Sequence, residues 1–291
     1  MSWHGWSIQA PLIYVTAAGI LYWLGGRSRT VRARHEPLCT AAFVAGLVSI
    51  VLALDSPIDG YADQLFWVHM LQHVLLLAVA PPLILLGRPW PRMWGALPLQ
   101  VRTTVGRSIA RSPWTAPLRA LARPIPAWIL FNATLCLWHI PFAYNATLSS
   151  NAIHQVEHAM FFFTGLLFWA RVIDPGPLRP RLEWPARIAY VIGGMIVGWL
   201  LAITLVLYPH PLYTHYADLV QRPGGISALT DQQLAGGIMW VIGSIPYGVV
   251  ALFGFYRWLE PDTASPPGSA ETTSRPGPAE TTSPPRPALT A

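Results

Sequence analysis

Apolar residues run along this chain in blocks of about twenty, too continuous for the one-sided stripe of a soluble helix. Such a block is the length of α-helix that crosses about 30 Å of hydrocarbon. Seven blocks recur, near 8–25, 38–54, 65–86, 125–142, 152–170, 187–208 and 234–257. The pattern predicts an all-α, polytopic membrane protein with seven transmembrane helices. The second block is short, which suits a tilted or centrally packed helix. The third carries Pro81-Pro82, which removes backbone hydrogen bonds and should kink its inner half. Gly194-x-x-x-Gly198 in the sixth block, and Gly236-Gly237 with Gly243-Ser244 in the seventh, suit close helix approach.

Two stretches break the pattern. In 98–123, Val101, Val105 and Ile109 recur at i, i+4, i+8 among arginines, the mark of an amphipathic helix lying on a membrane surface. Residues 261–291 are rich in Pro, Ser, Thr and Gly, with Ala-Glu-Thr-Thr-Ser at 270–274 and again at 279–283. Such a tail buries too little apolar surface to order itself. The expected organisation is a seven-helix domain over 1–260 followed by a disordered tail over 261–291. The first block follows no positive n-region and no clear cleavage site, so it is expected to be a retained span.

Composition agrees with the pattern. Hydrophobic residues make up 53% of the 291 and charged residues only 11%, against about a quarter charged in soluble proteins. All 19 basic residues are arginine. The net charge of +6 sits in short blocks between apolar runs, which argues for membrane-flanking charge and against a nucleic-acid partner. Two cysteines, Cys39 and Cys136, support neither a disulfide framework nor a thiolate zinc ribbon. A chain without lysine cannot hold retinal as a Schiff base.

The arginines also give a direction. Arg27, Arg29, Arg32 and Arg34 occupy the first connection; Arg88, Arg92, Arg102, Arg107, Arg111, Arg119 and Arg123 the third; Arg171, Arg179, Arg181 and Arg187 the fifth. The even connections together hold Arg222 alone, and the second carries Asp55, Asp59 and Asp63. By the positive-inside rule the N-terminus faces out and the C-terminus is cytoplasmic.

Direction turns the polar residues into a map. His69 and His73 enter with the third block, roughly 9 and 15 Å from the outer surface at 1.5 Å per residue. His154, Glu157 and His158 enter with the fifth, His139 closes the fourth, and Asp231 opens the seventh. Each HxxxH pair, His69/His73 and His154/His158, shares one helix face. Imidazole is costly to bury in hydrocarbon without a partner, so two pairs at one depth mark a site. Metal ligation is expected from His69, His73, His139, His154 and His158. Glu157, Asp231, Cys136 and Met239 are candidate supporting groups or additional ligands, as are Gln72 and Gln155 for orienting imidazoles. Met70 and Met160 offer thioethers at a similar level. His210 and His215 follow the sixth block and are expected to be solvated, as is His35; His4 is expected in an outer cap.

Imidazole with thioether or thiol suits copper; imidazole with carboxylate suits zinc. Two facing histidines also suit haem iron. These readings lead to three functions: a copper-handling protein, a bis-histidine haem protein, or an intramembrane zinc hydrolase with Glu157 or Asp231 as base.

A resemblance bears on the choice. His69-Met70-Leu71-Gln72-His73, then Ala80-Pro81-Pro82-Leu83 and Gly87-Arg88-Pro89, resembles the hallmark of the CtaG family of seven-span cytochrome c oxidase assembly factors. It continues in Trp138-His139-Ile140-Pro141, in His154 with Glu157-His158, and in Asp231-Gln232-Gln233-Leu234-Ala235-Gly236-Gly237-Ile238-Met239-Trp240. The resemblance covers roughly 8–258. It implies a non-enzymatic factor in the bacterial cytoplasmic membrane that helps form active haem–copper oxidase, most naturally by handling copper. Its implied partners are oxidase subunits and external copper chaperones.

Overall fold

A computed structural model describes residues 10–27, 37–173 and 182–260 of the protein. His4, His35, Arg29, Arg32, Arg34, Arg179, Arg181 and the tail over 261–291 lie outside the described residues. Among the described residues all regular structure is helical.

The first block forms α1 (Ala10–Gly25) and the second α2 (Pro37–Leu54). A short α3 (Pro57–Ala62) leads into the third block, built as α4 (Phe66–Val74), one π-helical turn (Leu75–Val79) and α5 (Ala80–Leu86). Next come α6 (Pro89–Ala96), α7 (Leu99–Arg111) and α8 (Thr115–Leu121). The fourth block forms α9 (Pro124–Trp138), after which α10 (Pro141–Ser149) connects to the fifth block, α11 (Asn151–Ile173). The sixth is α12 (Trp184–Leu207), followed by a four-residue α13 (Thr214–Ala217). The seventh divides into α14 (Ala228–Val241) and α15 (Ile245–Leu259).

Five stretches are long and apolar enough to cross a membrane: Pro37–Leu54, Phe66–Leu86, Asn151–Ile173, Trp184–Leu207 and Ala228–Leu259. The chain is therefore a polytopic membrane protein. The fourth block stops at Trp138 rather than 142, because Pro141 cannot donate to a helical carbonyl and starts α10 instead. It counts as a sixth span only together with α8, from which it is bent by 74°. The first block yields a shorter apolar helix.

The centre of the bundle is the third block, not the second. Of Phe66–Leu86, 72% is buried within the protein, against 22% of Pro37–Leu54. A π turn over Leu75–Val79 precedes Pro81-Pro82, and Phe66–Leu86 runs through them as one span. Pro81 leaves the Leu77 carbonyl without its helical donor, and the Trp169 indole Nε1–H donates to it at 3.0 Å. Gly165, also on α11, makes that approach possible: a Cβ there would lie 2.9 Å from the Leu77 oxygen. α14 packs on α12 in the same way through Gly236, where a Cβ would lie 2.7 Å from Val206. Gly194 is likewise tight against Phe168, whereas Gly198 and Gly237 face open space.

Around this axis lies an aromatic core that includes Phe131, Phe161, Phe168, Trp169 and Tyr247. Large apolar side chains on the outer faces, such as Phe163, Leu200 and Leu252, are exposed. That is the pattern of a bundle solvated by lipid. No residue of α7 or α8 is buried.

Candidate metal centre

The elements that carry the expected histidines and Asp231 meet at one end of the bundle: the N-terminal ends of α4, α11 and α14 and the C-terminal end of α9. Spacing of i, i+4 puts His69 and His73 on one face of α4, and His154 and His158 on one face of α11. These faces oppose each other. The His69 ring centroid is 4.4 Å from that of His73, 5.0 Å from His154 and 6.1 Å from His158. Between them lies Glu157, fully buried, with its carboxylate oxygens 3.9 Å from His69 Nε2 and 3.6 Å from His73 Nε2. One ligand atom each from His69, His73, Glu157 and His158 can be chosen so that all four lie within 4.8 Å of one another.

Most polar atoms here have no hydrogen-bond partner: His69 Nε2, both ring nitrogens of His73 and of His158, His154 Nε2, and both oxygens of Glu157. Each such buried atom costs about 1–3 kcal/mol if left unsatisfied. Three imidazoles and a carboxylate converging on one point are satisfied together by a cation. The donor set therefore fits a metal ion.

Neighbouring groups fix the orientation. Tyr216 on α13 donates its O–H to the Ala62 carbonyl at 2.6 Å, while its oxygen contacts His69 Nδ1 at 3.1 Å. Burial raises the Tyr216 phenol well above its usual range, so it keeps its proton. The phenol proton is committed to Ala62, so His69 Nδ1–H donates to the phenol oxygen. This leaves the Nε2 lone pair aimed at the cluster. Asp231 does not join the ligand atoms. Its carboxylate accepts the backbone N–H of Phe66 at 2.9 Å and of Trp67 at 3.0 Å. Leu65, at the start of α4, offers no side-chain cap, so Asp231 caps that helix from across the bundle.

The other expected site residues divide. His154 packs on His158, with centroids 4.1 Å apart, but stands outside the four-donor set and is only half-buried. His139 is buried, with its ring 6.2 Å from that of His73, and it too stands outside the set. Met239 lines a cavity together with His73 and His139. Cys136 is on the exposed face of α9 and does not face the cluster. Gln72 points away from the cluster, donating to the Ala53 carbonyl at 2.7 Å and to Asp59 at 2.9 Å. Gln155 is exposed. His210 is exposed, whereas His215 is anchored: its Nε2 contacts the Asp63 carbonyl at 3.0 Å. Tyr216 escaped the sequence reading, and Tyr144 reads in the sequence only as part of an interface belt. Tyr144 is fully buried with its ring 5.2 Å from His69. Their only mark in the sequence is a tyrosine in each of two connecting segments, which aromatic belts produce equally.

Fold and site together define a polytopic membrane protein with an intramembrane histidine–carboxylate cluster. The family model described as cytochrome c oxidase caa3 assembly factor (Caa3_CtaG) matches residues 20–260, and the chain belongs to this family. Among curated proteins it is similar to the uncharacterized protein Mb0105 of Mycobacterium bovis and to MT0111 of Mycobacterium tuberculosis. Each is 28% identical over 229 residues, covering 76% of this chain and 34% of the relative. ML1998 of Mycobacterium leprae is 26% identical over 231 residues, with the same coverage of 76% and 34%. The chain thus spans about a third of the length of the curated relatives it matches. No solved structure matches.

Proposed function

We propose that the protein is a non-enzymatic assembly factor for haem–copper oxidase that binds copper as cargo at His69, His73, Glu157 and His158. One observation carries this reading: four donors from two helices converge with no partner of their own, in a membrane protein of an oxidase-assembly family. The donor set itself accepts copper or zinc, and copper is chosen because the chain belongs to an oxidase-assembly family. Four protein donors fill a tetrahedral shell, whereas a hydrolytic zinc centre keeps one position open. Haem held between the two pairs is disfavoured because the rings pack edge-to-face with Glu157 between them.

In this reading the residues divide the work. Glu157 supplies the negative charge that makes a buried cation tolerable. His69 is held ready by Tyr216, α4 is held by Asp231, and the half-buried His154 offers the first contact to an incoming ion. In this reading α1 and α9 bring the five spans to seven, and the cluster lies in the outer part of a bacterial cytoplasmic membrane. The N-terminus then faces out, and α7 and α8 lie on the cytoplasmic surface before the tail. There the cluster can exchange copper with external chaperones and with an oxidase subunit.

The test is maturation of the oxidase in cells that carry His73→Ala or Glu157→Gln in place of the wild-type chain. Copper content and activity of the oxidase should fall at least tenfold while the variant stays in the membrane at wild-type level. Oxidase with normal copper content and activity would overturn the reading.

A further inference from the structure

A second pair of donors lies beyond the four-donor centre. His139 ends α9, and its Nδ1 lies 2.8 Å from the Leu135 carbonyl. A carbonyl only accepts, so Nδ1 carries the proton and a neutral His139 holds a lone pair on Nε2. That lone pair faces another: His139 Nε2 lies 3.3 Å from Met70 Sδ, and a thioether has no proton to give. Protonating Nε2 would give a hydrogen bond, but it would also place an imidazolium in the bundle with no carboxylate within ion-pair distance among the described residues. Both residues are buried, at 5% and 0% exposure.

Two lone pairs held against each other satisfy neither atom. Bound to one ion at about 2.0 and 2.3 Å they would stand about 3.5 Å apart at a tetrahedral angle, close to the separation present. His139 lines a cavity of about 50 Å³ that His73, Met195 and Met239 also line. There is room for an ion. We propose a second metal position, separate from the histidine–glutamate centre, at which His139 Nε2 and Met70 Sδ bind Cu(I) with the Met239 thioether as third donor.

The donor chemistry makes the two positions unlike. Thioether and imidazole without carboxylate select the soft monovalent ion and offer little to zinc, whereas the histidine–glutamate set accepts either. With the His73 and His139 rings 6.2 Å apart, an ion that leaves the first centre meets the second without crossing bare hydrocarbon. The choice of copper rests on the function proposed above; the pairing of unprotonated donors does not.

The test uses the full chain purified in detergent, labelled with selenomethionine, and loaded anaerobically with Cu(I). Copper-edge X-ray absorption should show two copper ions per chain, with selenium scattering from one. Met70→Leu, which conserves volume, should bind one copper and lose most of the selenium signal. Glu157→Gln/His158→Ala should also bind one copper but keep the selenium signal. Zinc should load to one equivalent in the wild type and in Met70→Leu alike. One copper with no selenium scattering in the wild type would overturn the second position and leave the first standing. No copper at all would overturn both. The wild-type spectrum decides the matter even if Met70→Leu fails to fold.

Discussion

The two HxxxH pairs have the same spacing and very different surroundings. His69 and His73 are 0% and 3% exposed, on a helix capped by Asp231, and His69 has one ring nitrogen fixed by Tyr216. His154 and His158 sit on a longer helix; His158 is buried, but His154 is half-open and no tyrosine holds either ring. The α4 pair is the organised wall of the site, and the α11 pair contributes Glu157, His158 and a mouth. Spacing sets which side chains face a site; the groups behind them set how firmly they are held.

That contrast yields predictions of decreasing size. Glu157→Gln keeps the shape of the side chain and removes the only buried negative charge among the four donors. It should weaken metal binding at this centre by about 100-fold or more, measured by competition with a chelating dye. Asp231→Ala uncaps α4 without touching the donors. It should cost about 1–2 kcal/mol of stability, seen as an earlier thermal transition in detergent, and lower metal affinity as the organised wall loosens. Tyr216→Phe should reduce affinity by about 10-fold or more, because His69 loses the acceptor that fixes its tautomer, and should cost about 1–3 kcal/mol as the Ala62 carbonyl loses its donor. His154→Ala should change equilibrium affinity least and slow metal uptake in stopped-flow mixing. An affinity loss from His154→Ala larger than that from Tyr216→Phe would reverse the assignment of wall and mouth.

Much of the fold was legible in the residues because hydrocarbon imposes a length and excludes charge. Seven apolar blocks all became helix, and a π turn stands just ahead of Pro81-Pro82. Their ends were less legible. The seventh block begins six residues earlier than its apolar stretch, at Ala228, because Ser227 caps it and Asp231 and Gln232 find partners across the bundle. Of the nine expected site residues, His69, His73, Glu157 and His158 converge as one donor set. Helical spacing alone brings each pair to one face. The roles of Asp231 and Tyr216 were not legible, since both act across 147 residues or more of chain separation.

The central claim is that the four converging donors hold copper. Its most direct test is the copper content of purified, copper-loaded wild type beside Glu157→Gln/His158→Ala. The wild type should retain one more copper per chain than the variant after desalting, with nitrogen and oxygen scattering at the copper edge attached to the difference. Equal copper in both proteins would contradict the account.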